Sequence, residues 1–136
     1  MLLSRACEYA VRAVLYLAKH QDVAYVSVKE IAEHTDVSFH FLGKILQSLT
    51  QKGLLVSYKG PKGGIQLARS SDEITVLQVV EAVDGLGVLR QCVLGLPNCG
   101  EGKPCALHGQ WGPIRAEIGD MFQGKSIAQL LKEYET

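Results

Sequence analysis

The chain has 136 residues, of which 47% are apolar and 21% charged, which is enough to bury one core and excludes a disordered or fibrous protein. Its formal net charge is zero, yet residues 1–70 hold nine Lys/Arg against five Asp/Glu and residues 71–136 hold five against nine, so +4 faces −4 along the chain. The stretch Met1 to Lys19 is rich in Leu, Ala and Val, but Arg5, Glu8 and Arg12 interrupt it, so neither a signal peptide nor a spanning helix fits; a cytoplasmic protein with no membrane partner is expected.

Ser4 is placed to cap a first helix reaching about His20, with Leu3, Ala6, Ala10, Ala13, Val14 and Leu17 as its core stripe. Cys7 lies on this helix among apolar neighbours and reads as a packing residue; His20 and His34, near helix ends, read as complements to helix dipoles. Ser27 and Glu30 form a capping box that opens a short helix through His34. After the break at Thr35-Asp36-Val37-Ser38, Ser38 caps a third helix whose Phe41, Leu42, Ile45, Leu46 and Leu49 are expected inside, ending at Gly53. Two short helices joined by a tight turn read as a helix-turn-helix. Leu54 to Tyr58 and Ile65 to Arg69 then read as the strands of a hairpin with a glycine-rich tip. Thr75 and Gln78 open a fourth helix ending at Asp84-Gly85. No periodicity is sustained from Leu86 to Pro104. A helix is predicted to restart near Cys105 and run through Ile114, Ile118 and Met121, and Ser126 with Gln129 starts a last one. The fold class expected is mainly α with a small β-hairpin, a winged helix-turn-helix followed by a C-terminal helical segment.

A helix-turn-helix with a wing offers a helix for the major groove and a tip for the backbone or minor groove. Between Asp36 and Asp72 there is no acidic residue, while Lys44, Lys52, Lys59, Lys62 and Arg69 fall in that window, a local basic footprint of the kind phosphates attract. Ser38, Phe39, His40 and Lys44 are the outward residues at the start of the third helix; the polar ones can meet base edges or phosphates, and Phe39 a thymine methyl. Gly43 in mid-helix points to close backbone approach, by DNA or by a neighbouring helix. In the wing, Gly60, Gly63 and Gly64 remove bulk, Pro61 stiffens the tip, and Lys59 and Lys62 supply charge for phosphates. The plain alternative is a protein-docking module with solvated lysines.

Cys92, Cys99 and Cys105 are separated by six and five residues, and His108 follows Cys105 by three. Thiolate and neutral imidazole suit soft or borderline metals. On the first turn of a helix, Cys105 and His108 would share a face, and the loop containing Gly95, Pro97, Gly100, Gly102 and Pro104 can fold tightly and aim amides at sulfur. Zinc held by three Cys and one His, an iron-sulfur cluster, and a redox pair of thiols all fit these residue types. No paired carboxylates, Ser-His-Asp set or nucleotide loop is present, so an enzyme is not expected.

Together Tyr9-Ala10-Val11, the helix-turn-helix ending in Gly53-Leu54, the wing Lys59-Gly60-Pro61-Lys62-Gly63-Gly64, the Val79 to Asp84 helix and the three-cysteine loop resemble the IscR/NsrR-type winged-helix iron-sulfur transcription regulators over essentially the whole length. The resemblance implies a homodimer, held by the helix after Cys105, that reads a palindromic double-stranded operator and senses cluster status, iron or nitrosative and redox stress. It divides the chain into a DNA-binding domain 1–84, a cluster loop 85–104 and a dimerisation and C-terminal segment 105–136. Cys105-Ala106-Leu107-His108 followed by Trp111 is similar to the IscR branch, in which three Cys and one His hold a 2Fe-2S cluster. In the NsrR-like arrangement a 4Fe-4S cluster takes a carboxylate from the partner's first helix, where Glu8 stands in this chain. His108 is preferred, because an imidazole three residues from Cys105 needs no second chain, and 2Fe-2S is accordingly preferred over 4Fe-4S and over zinc. A metal or cluster carrier that uses its helix-turn-helix only for docking is the alternative function.

Overall fold

A computed structural model describes residues 2–97, 99 and 104–135. Helix α1 (Arg5–Lys19) begins at Ser4, whose hydroxyl accepts the Cys7 amide at 3.0 Å, an N-cap that satisfies a donor the first turn leaves open. Ser4 in turn gives its amide at 2.9 Å and its hydroxyl to the Asp84 carboxylate, which fastens the start of the first helix to the end of the fourth. The face that α1 buries is Cys7, Ala10, Ala13, Val14 and Leu17, mostly small side chains that let the neighbouring helices approach closely.

Helix α2 (Val28–Thr35) is capped by Ser27, which accepts the Glu30 amide at 3.1 Å. The reciprocal half of the expected capping box does not form. Glu30 instead receives the Tyr16 hydroxyl from α1, because a half-buried phenol needs a protein acceptor, whereas an amide at an exposed helix end is served by water. α2 ends in left-handed Asp36 (φ 57°), and the Val37 amide bonds back to the Ala32 carbonyl at 3.2 Å, which closes the turn tightly. Ser38 then caps α3 (Phe39–Gln51), which buries Leu42, Ile45, Leu46 and Leu49. Phe41, expected in the core, is 40% exposed: on the first turn of α3 it meets only the Tyr9 ring of α1, edge to face at 5.8 Å.

Strands β1 (Leu55–Tyr58) and β2 (Gly64–Leu67) pair antiparallel, with Leu55 opposite Leu67 and Tyr58 opposite Gly64. Ile65 also exchanges both backbone bonds with Val26, at 2.9 and 2.8 Å, so the wing is rooted on the segment before α2. Helix α4 (Val76–Asp84) carries the full Thr75/Gln78 capping box and stops at Gly85 (φ 74°). A 3₁₀ turn at Gly87–Leu89 follows, then the cysteine loop, α5 (His108–Gln123) and α6 (Ile127–Glu135). α5 begins three residues later than the sequence predicts. Residues 105–107 form a tighter turn, closed by the His108 amide on the Cys105 carbonyl at 3.1 Å, so Cys105 precedes the helix and does not share its first turn with His108. α6 returns onto α1, with Ile127 fully buried and Ser126 bridged to Thr75. The mainly helical fold with one small hairpin is the one expected. No helix among the described residues is long and apolar enough to cross a membrane.

Candidate metal centre and nucleic-acid interface

The three loop cysteines converge. Their sulfurs all lie within 4.8 Å of one another, Cys92 and Cys105 at 3.5 Å, and each cysteine is half-buried and free of disulfide. His108, the first residue of α5, brings Nδ1 to 3.6 Å from the Cys99 sulfur. The Cys105 amide donates to the same sulfur at 3.4 Å. Backbone amides of Leu96 and Leu94 favour the Cys92 thiolate and bring its thiol down to about 7. At Cys99 the Cys105 amide also favours the thiolate, but burial and the adjacent Cys105 and Cys92 sulfurs outweigh it and push that thiol up. Three sulfurs with amides aimed at them and an imidazole at the rim form a donor set that fits a thiophilic metal or an iron-sulfur cluster. Gly100 and Gly102, expected to help the loop fold, lie outside the described residues.

The loop is tied to α5 by bonds that spacing alone does not reveal. Trp111 Nε1 donates to the Gln91 carbonyl at 2.8 Å, and Arg115 donates to the Arg90 carbonyl at 2.8 Å. The two side chains stand four residues apart on one face of α5, the signal that sequence reasoning passes over. Gly119, one turn on, packs against Leu89. Glu8 is exposed in the first turn of α1. Cys7 is fully buried, and its thiol is pushed up to about 12 by burial first and by the Asp84 and Glu8 charges next. It stands apart from the sulfur group.

On the opposite functional element, Ser38, Phe39, His40 and Lys44 are all exposed at the start of α3, Phe39 to 61%. A Cβ on Gly43 would meet nothing within 4 Å, so no neighbouring helix of this chain accounts for that glycine. Lys59, Gly60, Pro61 and Lys62 are exposed at the wing tip, and Gly60 takes φ 135°. Gly63 and Gly64 answer to the fold itself: a Cβ would stand 2.1 Å from the Tyr58 carbonyl oxygen at the first and 2.3 Å from that of Val26 at the second.

A family profile described as Rrf2, iron-dependent transcriptional regulator, matches residues 3–133. The chain belongs to the Rrf2 family of transcriptional regulators. A helix-turn-helix-type regulator of Aquifex aeolicus is 34% identical over 133 residues, covering 96% of this chain and 92% of its own. The regulator IscR of Aliivibrio salmonicida is 32% identical over 135 residues, covering 99% and 80%. Among solved structures, T. potens IscR superposes with a TM-score of 0.77 at 25% identity, covering 97% of this chain and 87% of that one. The Rrf2 assignment bears out the resemblance read from the wing and cysteines, and it makes the protein a regulator and not an enzyme.

Proposed function

We propose that this Rrf2 regulator is a homodimer that reads a palindromic operator and senses iron, cluster supply or redox stress through an iron-sulfur cluster on Cys92, Cys99, Cys105 and His108, with Glu8 of a second copy as the other candidate for the fourth position. The observation that carries this reading is the convergence of three sulfurs from a loop whose first residues are pinned to α5. The family description and the IscR-named relatives support the iron-sulfur choice and a 2Fe-2S form. When bound, a cluster supplies a centre whose oxidation or loss reports the state of the cell.

The chain's own residues supply the rest. Trp111 and Arg115 hold the first turns of α5 against Gln91 and Arg90, so the order of the loop and the pose of α5 are coupled. Leu107, Ile114 and Met121 recur every seven residues along α5 and are 39, 50 and 56% exposed, an apolar seam suited to a twofold helix pairing. The pose of that pair sets the distance between two copies of α3, which must match half-sites about one helical turn, or a multiple, apart. Ser38, Phe39, His40 and Lys44 then face bases and phosphates, and Lys59 to Gly64 approach the backbone.

The test is the substitution Cys99→Ala, read by visible absorbance and by affinity for a palindromic duplex selected from a random pool. Loss of the absorbance together with at least a tenfold change in affinity is expected. Unchanged absorbance would overturn the ligand assignment, and changed absorbance with unchanged affinity would overturn the coupling.

A further inference from the structure

The separations in the sulfur group are those of one coordination tetrahedron. With Zn–S near 2.3 Å and Zn–N near 2.0 Å, a tetrahedral ion sets its ligands about 3.7 Å apart between two sulfurs and about 3.5 Å between sulfur and nitrogen. The observed pairs are Cys92 to Cys105 at 3.5 Å and Cys99 to His108 Nδ1 at 3.6 Å, and all three sulfurs lie within 4.8 Å. A cluster of two or more irons hangs its thiolates on different metals, so they stand farther apart than one such edge. The loop as it stands is therefore closed too tightly for a cluster and sized for a single ion.

We propose that Cys92, Cys99, Cys105 and His108 form a second, compact metal state of this loop that takes one tetrahedral divalent ion of the zinc class. Three thiolates and one imidazole match the preference of that class, and the amide of Cys105 on the Cys99 sulfur supplies the outer hydrogen bond such a site needs. The loop must open to exchange the ion for a cluster, so the two occupants exclude each other. The proposal rests on the reading that this loop is the metal site, and adds a competitor to the cluster.

The test uses the whole, reduced, metal-free protein titrated anaerobically with cobalt(II), a spectroscopic stand-in for zinc. The expected result is saturation at one cobalt per chain, with near-ultraviolet sulfur-to-cobalt charge transfer and the intense visible bands of four-coordinate cobalt, all displaced by one equivalent of zinc. Cys99→Ala should abolish the signal, and His108→Ala should keep the charge-transfer band while shifting the visible envelope. Circular dichroism checks that both variants stay folded. Weak six-coordinate bands, or a Cys99→Ala titration like that of the wild type, would overturn the proposal. Iron and sulfide reconstitution of the same preparation separates the two readings. A cluster without tetrahedral cobalt defeats this one, and tetrahedral cobalt without any cluster defeats the sensor reading alone.

Discussion

At the scale of single residues, Cys7 and the loop cysteines show how environment divides one side-chain chemistry into two roles. Cys7 has no exposure and a thiol pushed from 9.0 to about 12, so the fold holds it neutral. Because the folded value lies above the unfolded one, its contribution to stability is complete below about pH 9 and is lost as pH climbs toward 12. Thermal denaturation across that alkaline range should therefore decline less steeply in Cys7→Ala than in the wild type; equal slopes would contradict the burial argument. In the metal-free folded protein, an alkylating reagent followed by mass mapping should label Cys92, Cys99 and Cys105 and spare Cys7. The packing role of Cys7 is legible in the sequence because its neighbours on α1 repeat at helical spacing. The partner of Glu30 is not legible, since the Tyr16 hydroxyl lies fourteen residues back on another helix and wins over the local amide. Phe41 fails for a related reason: periodicity names the side of a helix and says nothing of how much neighbour waits there.

At the scale of elements, α3 and the wing carry the interaction with DNA. Gly43 sits in α3 with open space around its missing Cβ, so Gly43→Ala should raise thermal stability by up to about 1 kcal/mol through helix propensity. The same change should weaken operator binding if the helix backbone lies against the duplex there, and a variant that is more stable and binds equally well would leave Gly43 outside the interface. In the wing, replacing Lys59 and Lys62 with Ala should weaken binding and flatten the slope of log affinity against log salt by about 0.9 for each phosphate no longer neutralised. An unaltered slope would take the wing tip off the duplex. Caps and turns make these elements legible: Ser4, Ser27, Ser38, Thr75 and Ser126 each stand where a helix begins. The start of α5 is not legible, because the Cys105 turn and the helix after it form one continuous run of compatible residues, and only the pull of the sulfur group separates them.

At the scale of the whole molecule, the two ends of the chain serve one another. α6 folds back on α1, Asp84 holds the cap of α1, and Trp111 and Arg115 bind α5 to the residues just before Cys92. A metal that orders the loop thus acts on the helix bearing the exposed seam, and a dimer built on that seam carries the change to two recognition helices. The ligand types are readable from spacing, but the meeting of residues 92, 99 and 105 depends on these distant ties, which no local pattern records. The most direct measurement is to purify the protein without oxygen, count iron and sulfide per chain, and compare its affinity for the selected palindromic duplex before and after the cluster is stripped by a chelator. The account predicts a coloured dimer with equal iron and sulfide and an operator affinity that shifts at least tenfold on stripping. A colourless protein, or one whose duplex affinity ignores the loss of iron, would contradict it.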